Sequence, residues 1–263
     1  LIKAGGLSPN PSLPDMQFVR TFIAGKGEVI YIPGSSFKGV LRSNIEKAIR
    51  TLKGENANGA CNPFGNSSCG KNINEDTPSN IVYKESCRAC KIFGNTRLKG
   101  RISVLDAYPS GEKEVKTETR HGVAISRLSH AVAAGPFDME VITEGEFLTK
   151  IRLENFEVWQ IGLLALALRG FNEGMIRIGF GKNRGLGEID IKISKIEYSF
   201  AANSSQNEIW GIGKFLSDSE CNAYGVNPND FCPVKIPSEE ARDISYTRRS
   251  YPPDNWNKLS QVF

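Results

Sequence analysis

Four of the six cysteines, Cys61, Cys69, Cys87 and Cys90, fall in one short stretch of this sequence. Cys87 and Cys90 form a C-x-x-C pair, whose tight turn brings two thiolates to one ion. Cys61 and Cys69 form a second pair with a wider C-x7-C spacing. Around them lie Gly59, Pro63, Gly65, Asn66, Ser67, Ser68 and Gly70, a loop composition that does not order itself by core burial alone. A tetrahedral four-thiolate site would hold such a segment, and structural Zn2+ suits those ligands. Disulfides and unpaired thiols are the alternatives. Catalytic zinc is disfavoured, because a closed set of four thiolates leaves no open coordination position. A thioredoxin-like role for Cys87 and Cys90 lacks a strand-loop-helix context. Only two histidines are present, His121 and His130, which argues against a multi-histidine centre.

A chain of 263 residues is long enough for one large domain or two small ones. Its 40% hydrophobic and 24% charged residues exclude a mostly disordered chain. The net charge of +4 permits a nucleic-acid partner without requiring one. The longest apolar run, from Ile161 to Leu168, contains Gly162 and stops at Arg169. That falls short of the roughly 20 residues of a membrane span, so no membrane partner is expected. The first residue, Leu1, reads as the middle of a strand. The sequence is therefore expected to continue upstream, and it says nothing about a signal peptide.

Hydrophobic periodicity organises the rest. VIYIPG reads as a strand entering a turn. Phe37, Val40, Leu41, Ile45, Ala48, Ile49 and Leu52 recur at helical spacing, predicting a helix over 35–53 capped by Ser35 or Ser36 and ended by Gly54. A cysteine-rich insert over 55–95 follows. RISVLDAYP (101–109) predicts a strand, and 110–140 is rich in charge and turns. Phe147, Thr149, Ile151 and Leu153 alternate, predicting a strand over 146–155. Residues 156–170 predict a second helix, apolar enough to be buried on more than one side. MIRIG, a glycine loop and EIDIKISKIEY predict two more strands. Without its inserts the order approximates βαββαβ, so the expected class is α+β with a ferredoxin-like or RNA-recognition-motif-like core. The expected organisation is a domain over 1–198 and a C-terminal extension over 199–263. The extension has weak periodicity and reads as an extended, partly irregular tail that packs back on the domain or on a neighbour.

Two segments are suited to anions. In Gly179–Gly187 four of nine positions are glycine, letting backbone N–H groups approach phosphates, with Lys182 and Arg184 adding charge. No G-K-[ST] ends the loop and a strand is expected to follow it, so it matches neither a Walker A nor a Rossmann turn. A glycine hairpin with unusual dihedrals is the alternative. In IPGSSFKGVLR, Ser35, Ser36 and a helix N-terminus meet at one spot, with Lys38 and Arg42 one turn apart. A capped helix with a solvated basic face is the alternative.

Taken together, IPGSSFKGVLR, RISVLDAYP and the late loop GFGKNRGLGEI resemble the RAMP superfamily of CRISPR-associated proteins over about residues 1–198. KTETRHGVAISRLSHAVAAGPFDMEVITEGEFLTKIRLEN resembles the thumb hairpin and following core strand of type III backbone ("palm and thumb") subunits. The cysteine-bearing insert is similar to zinc-holding inserts of some type III-D and fused type III-E relatives.

The resemblance implies a cytoplasmic subunit that stacks with neighbouring RAMP subunits along a guide RNA and meets complementary target RNA. Ser35, Ser36, Lys38 and Arg42 would meet guide phosphates, as would Gly181, Lys182 and Arg184 of the glycine loop. Phosphate contacts suit a protein that serves many guides, since they carry no sequence information. A thumb over about 110–140, with Arg120, His121 and Arg127, would reach across the guide–target duplex. Relatives that cut target RNA use an aspartate ahead of an apolar-apolar-basic run. PDMQFVR places Asp15 there, where it would act with Mg2+ or another divalent ion, or position the 2′-hydroxyl. A turn aspartate after proline is the bland alternative. Two family alternatives are a purely structural filament subunit and a standalone endoribonuclease that matures guide RNA through His121. A zinc-stabilised adaptor with no RNA role is the rival from another class.

Overall fold

A computed structural model describes residues 14–55, 59–200, 207–242 and 246–262. The protein is a mixed α+β chain of short antiparallel sheets, helices and a cysteine cluster. Its contacts divide it into two compact units. One comprises the chain through Val40, Ser103–Arg152 and Arg177–Ile189; the other comprises Leu41–Ile102, Leu153–Ile176 and Asp190 onward.

Strands β1 (Arg20–Ile23) and β2 (Gly27–Ile30) form an antiparallel hairpin that leads through Pro33 into helix α1 (Gly34–Lys53). Leu41, Ile45 and Ile49 recur every fourth residue of α1 and are all buried, which is why this segment is helical rather than extended. The insert then folds as three short helices, α2 (Cys69–Asn72), α3 (Ser79–Glu85) and α4 (Arg88–Phe93). Ile73, Val82, Tyr83, Ala89, Ile92 and Phe93 are buried in it, so apolar burial contributes more to this segment than its loop composition suggests.

Strands β3 (Ile102–Val104) and β4 (Tyr108–Pro109) follow, and Ala107 bridges antiparallel to Ile32. The longest strands are β5 (Lys116–Ile125) and β6 (Val132–Glu144), which pair as an antiparallel hairpin. Strands β7 (Phe147–Leu148) and β8 (Ile151–Leu153) return to pair with β4 and β3 respectively. Helix α5 (Val158–Asn172) starts on a capping box in which Glu157 and Gln160 satisfy each other's backbone N–H groups.

Of two expected strands, MIRIG does not form and EIDIKISKIEY forms only at its end. Residues 175–178 and 188–195 lie outside any strand, and strand β9 begins only at Ile196 and runs to Phe200. The alternation in EIDIKIS reports which side chains are half-buried, and that does not supply a pairing partner. Among the described residues the strands form five two-stranded sheets and one three-stranded sheet, rather than one continuous four-stranded sheet.

The remaining elements are β10 (Glu208–Trp210), α6 (Asp218–Tyr224), β11 (Phe231–Pro233), β12 (Glu239–Arg242), β13 (Thr247–Tyr251) and α7 (Trp256–Val262). Strand β9 crosses the 198/199 division and pairs with β13, giving the sheet β12-β13-β9. Tyr198, Phe200, Ile209, Val234, Tyr251 and Leu259 form one buried cluster, joined by Phe156 just ahead of α5 and Ile161 in its first turn. Residues after 199 therefore share a core with α5.

Candidate functional site

The cysteines come from three local structures. Cys61 lies in the loop after α1, Cys69 opens α2, Cys87 caps α4 and Cys90 lies in its first turns. All four are buried and unpaired as disulfides, and their sulfurs lie within 4.8 Å of one another. Cys61 Sγ and Cys90 Sγ are 3.7 Å apart. A tetrahedral zinc with ~2.3 Å bonds to sulfur separates its ligands by about 3.8 Å, so the spacing fits.

Backbone N–H groups point at the sulfurs. Cys87 donates to Cys69 Sγ at 3.2 Å, Cys61 donates to Cys87 Sγ at 3.4 Å, and Cys90 donates to Cys87 Sγ at 3.5 Å. Hydrogen bonds from Cys69 and then Cys90, with backbone help, hold Cys87 well below the ordinary thiol range. The same crowding pushes Cys69 up to about 12, chiefly through its hydrogen bond with Cys87, and raises Cys90 as well. One thiolate is thus stabilised at the expense of its neighbours, an arrangement that a cation would complete. Four buried sulfurs with aligned N–H donors fit a structural metal and leave no open position for chemistry.

A buried polar network holds the insert beside α5. Tyr83 Oη donates to Glu157 Oε1 at 2.5 Å, and Gln160 Nε2 donates to Tyr83 Oη at 3.1 Å. Burial first, and the Glu157 charge second, push the Tyr83 hydroxyl well above the usual phenol range. The Arg101 guanidinium lies 4.1 Å from the Tyr83 ring centre, and that of Arg88 lies 5.5 Å from Trp159.

The helix-opening segment is tightly built. Gly34 N–H donates to Asp106 Oδ1 at 2.7 Å, while Pro33 carbonyl accepts from Ser36 and Phe37. A Cβ at Gly34 would lie 2.2 Å from Val104 O, so only glycine allows this approach. Asp106 therefore takes a place that an anion would otherwise occupy at this N-terminus. Ser35 is exposed, and Ser36 and Lys38 are half-buried. Arg42 does not extend into solvent with Lys38. Its Nε bonds Glu46 at 2.7 Å, its Nη1 bonds Gly94 O at 3.1 Å, and its Nη2 lies 4.0 Å from Cys90 Sγ.

In the glycine loop, Gly179, Gly181, Gly185 and Gly187 all have positive φ. Ile178 N–H donates to Gly187 O at 2.8 Å, closing the loop, and Lys182–Arg184 make one 3-10 turn inside it. Lys182 and Arg184 are both exposed on that turn. The loop is thus the strained hairpin of the bland reading and also a rigid mount for two cations.

On the hairpin, Arg120 and His121 are exposed on β5, and Arg127 is exposed in the turn. Arg120 pairs with Glu118 at 2.5 Å. The segment carrying Asp15 lies against β6: Met16 N–H donates to Asp138 O at 3.0 Å, and Glu140 N–H donates to Met16 O at 2.9 Å. Asp15 itself is exposed, and its Oδ2 accepts Asp138 N–H at 3.0 Å. Across the hairpin, Asp138 Oδ1 lies 2.5 Å from His121 Nδ1. Asp138 thus joins two residues from distant parts of the sequence. Only the register that sets His121 opposite Asp138 exposes its role. Glu140 is buried, binding Arg20 and accepting Phe18 N–H at 3.0 Å.

No described helix is long and apolar enough to cross a membrane. The family model described as the RAMP superfamily matches residues 17–190, well over half of the chain. The chain belongs to the RAMP superfamily, a group of CRISPR-associated proteins that generally bind CRISPR RNA and partner subunits. No curated protein matches it.

Proposed function

We propose that this protein is a guide-RNA-binding backbone subunit of a type III CRISPR effector, built on a ferredoxin-like core, stabilised by structural Zn2+ on its four cysteines, and able to cut complementary target RNA beside Asp15. What supports the cleavage reading is the meeting of Asp15 and His121 on Asp138 midway along the long hairpin. In the tautomer that gives Nδ1–H to the Asp138 carboxylate, Nε2 of His121 carries the available lone pair. Nε2 would take the proton of a 2′-hydroxyl as its oxygen attacks the adjacent phosphorus. The 5′-oxygen then leaves and takes a proton from water, giving a 2′,3′-cyclic phosphate and a 5′-hydroxyl. Asp15 holds the Asp138 backbone with one carboxylate oxygen. Its other oxygen is the position at which Mg2+ assistance would act, and chelation of divalent ions separates the two routes.

The binding reading rests on the exposed Lys182 and Arg184 on their rigid turn, with Arg120 and Arg127 on the hairpin. Phosphate contacts make affinity fall with salt. Guide affinity measured against salt concentration is therefore the test. Lys182→Ala and Arg184→Ala are each expected to reduce the slope of log affinity against log salt by about 0.7. A flat salt dependence in the wild type would favour the adaptor reading. One observation favours a purely structural subunit: Asp15 already accepts a backbone hydrogen bond, which is what a turn aspartate does.

A further inference from the structure

Helix α1 carries Arg42, Glu46 and Arg50 at four-residue intervals, which sets them in one row along the helix. Glu46 is only 8% exposed and pairs with both arginines. A carboxylate at that depth needs such compensation. Each arginine also spends its remaining donors on the cysteine insert. Arg50 Nε donates to Ala60 O and its Nη2 to Cys61 O, both at 3.2 Å. Arg42 Nη1 donates to Gly94 O, the carbonyl just past the end of α4, and Nη2 approaches Cys90 Sγ at 4.0 Å. One helix face thus grips the insert on both sides of the sulfur cluster.

We propose that Arg42 is an outer-sphere positioning residue of the four-cysteine metal centre and not a ligand of guide phosphate. The inference rests on the metal reading above and deepens it. Four thiolates around one Zn2+ carry a net charge of about −2, and that charge is buried. A guanidinium beside a ligand sulfur offsets part of it and so strengthens the hold of the centre on its metal. The planar fork of arginine reaches sulfur, carbonyl and carboxylate together, which the single ammonium of lysine does not. Arg50 fixes the backbone of Cys61 on the other side. Helix α1 is therefore the seat on which the centre is assembled, and a guanidinium with all three nitrogens engaged is withdrawn from the surface.

The test uses the full chain with its guide RNA, in wild-type, Arg42→Gln, Arg42→Lys and Lys47→Gln forms. Lys47 is exposed on the same helix and serves as a control. Zinc content is measured by elemental analysis, zinc loss by transfer to a chromophoric chelator, folding by far-UV circular dichroism, and guide affinity against salt. Wild type should hold one zinc per chain. Arg42→Gln should release it ~10–100-fold faster, the range seen when outer-shell partners of metal ligands are lost. Arg42→Lys should fall between, Lys47→Gln should match wild type, and the salt slope should not change in the Arg42 variants. Unchanged zinc release with a slope reduced by about 0.7 would overturn the proposal and return Arg42 to the phosphates. Wild type without bound metal would overturn the metal reading itself, and the proposal with it. Should Arg42→Gln fail to fold, release from Arg42→Lys decides: a rate equal to wild type overturns the proposal.

Discussion

Asp138 accepts from His121 Nδ1 at 2.5 Å while its own N–H is held by Asp15 at 3.0 Å, so residues more than a hundred positions apart are fixed to one strand residue. If His121 is the proton acceptor, His121→Gln should slow guided RNA cleavage by about 10²–10⁴-fold, the usual range for a general base. Asp138→Asn should slow it less, because the ring is then misoriented but still present. Single-turnover rates with saturating target measure both. An unchanged rate in His121→Gln would remove it from the chemistry.

If the four cysteines hold a metal ion, removing it should unfold the insert locally. Helices α2–α4 are only four to seven residues long, too short to persist alone. Chelation under reducing conditions, or Cys87→Ala, is expected to reduce the far-UV helical signal. It should also change the emission of Trp159, which the Arg88 guanidinium covers at 5.5 Å. Helical signal and emission that survive full removal of metal would show that apolar burial alone holds the segment.

Asp106 is expected to act through the N-terminus of α1. It accepts Gly34 N–H at 2.7 Å, so Asp106→Ala should cost about 1 kcal/mol, in line with other lost helix caps. The shift in urea midpoint at constant m-value reports it.

What could be read from residue order was what local periodicity encodes. The helix over 35–53 appears as Gly34–Lys53, and that over 156–170 as Val158–Asn172, because each has a long run of apolar residues at helical spacing. The cysteine set was visible because ligand type and spacing carry its chemistry. Helices α2–α4 were hidden: they are shorter than the window in which periodicity registers, and buried Tyr83 and Phe93 stabilise them through partners elsewhere. MIRIG does not form the expected strand, and of the one expected over 188–198 only Ile196–Tyr198 lies in β9, because alternation describes burial and not pairing. The surroundings of Asp138 and Arg42 were not legible for one reason. Their roles depend on cross-strand register and on tertiary contacts to Gly94 and Cys90, which no single-residue argument supplies.

High pH should weaken the second unit through Tyr198. Burial, first, raises its hydroxyl to about 12, against an unfolded value near 10. The folded form therefore holds the proton more tightly. This contribution is fully present below pH ~10 and is lost as pH rises from there toward 12. Urea midpoints should fall as pH rises from about 10 toward 12 in the wild type, and fall less in Tyr198→Phe. An identical fall in both would assign the effect to other groups.

The most direct test of the account is cleavage. The effector reconstituted with a guide RNA, carrying wild-type chain or Asp15→Ala, is given end-labelled complementary RNA with and without Mg2+, and the fragments are resolved on a sequencing gel. The account predicts cuts at regular spacing in the wild type and their loss in Asp15→Ala, with guide and target still bound. The same cuts from both proteins would contradict it and leave this subunit as scaffold.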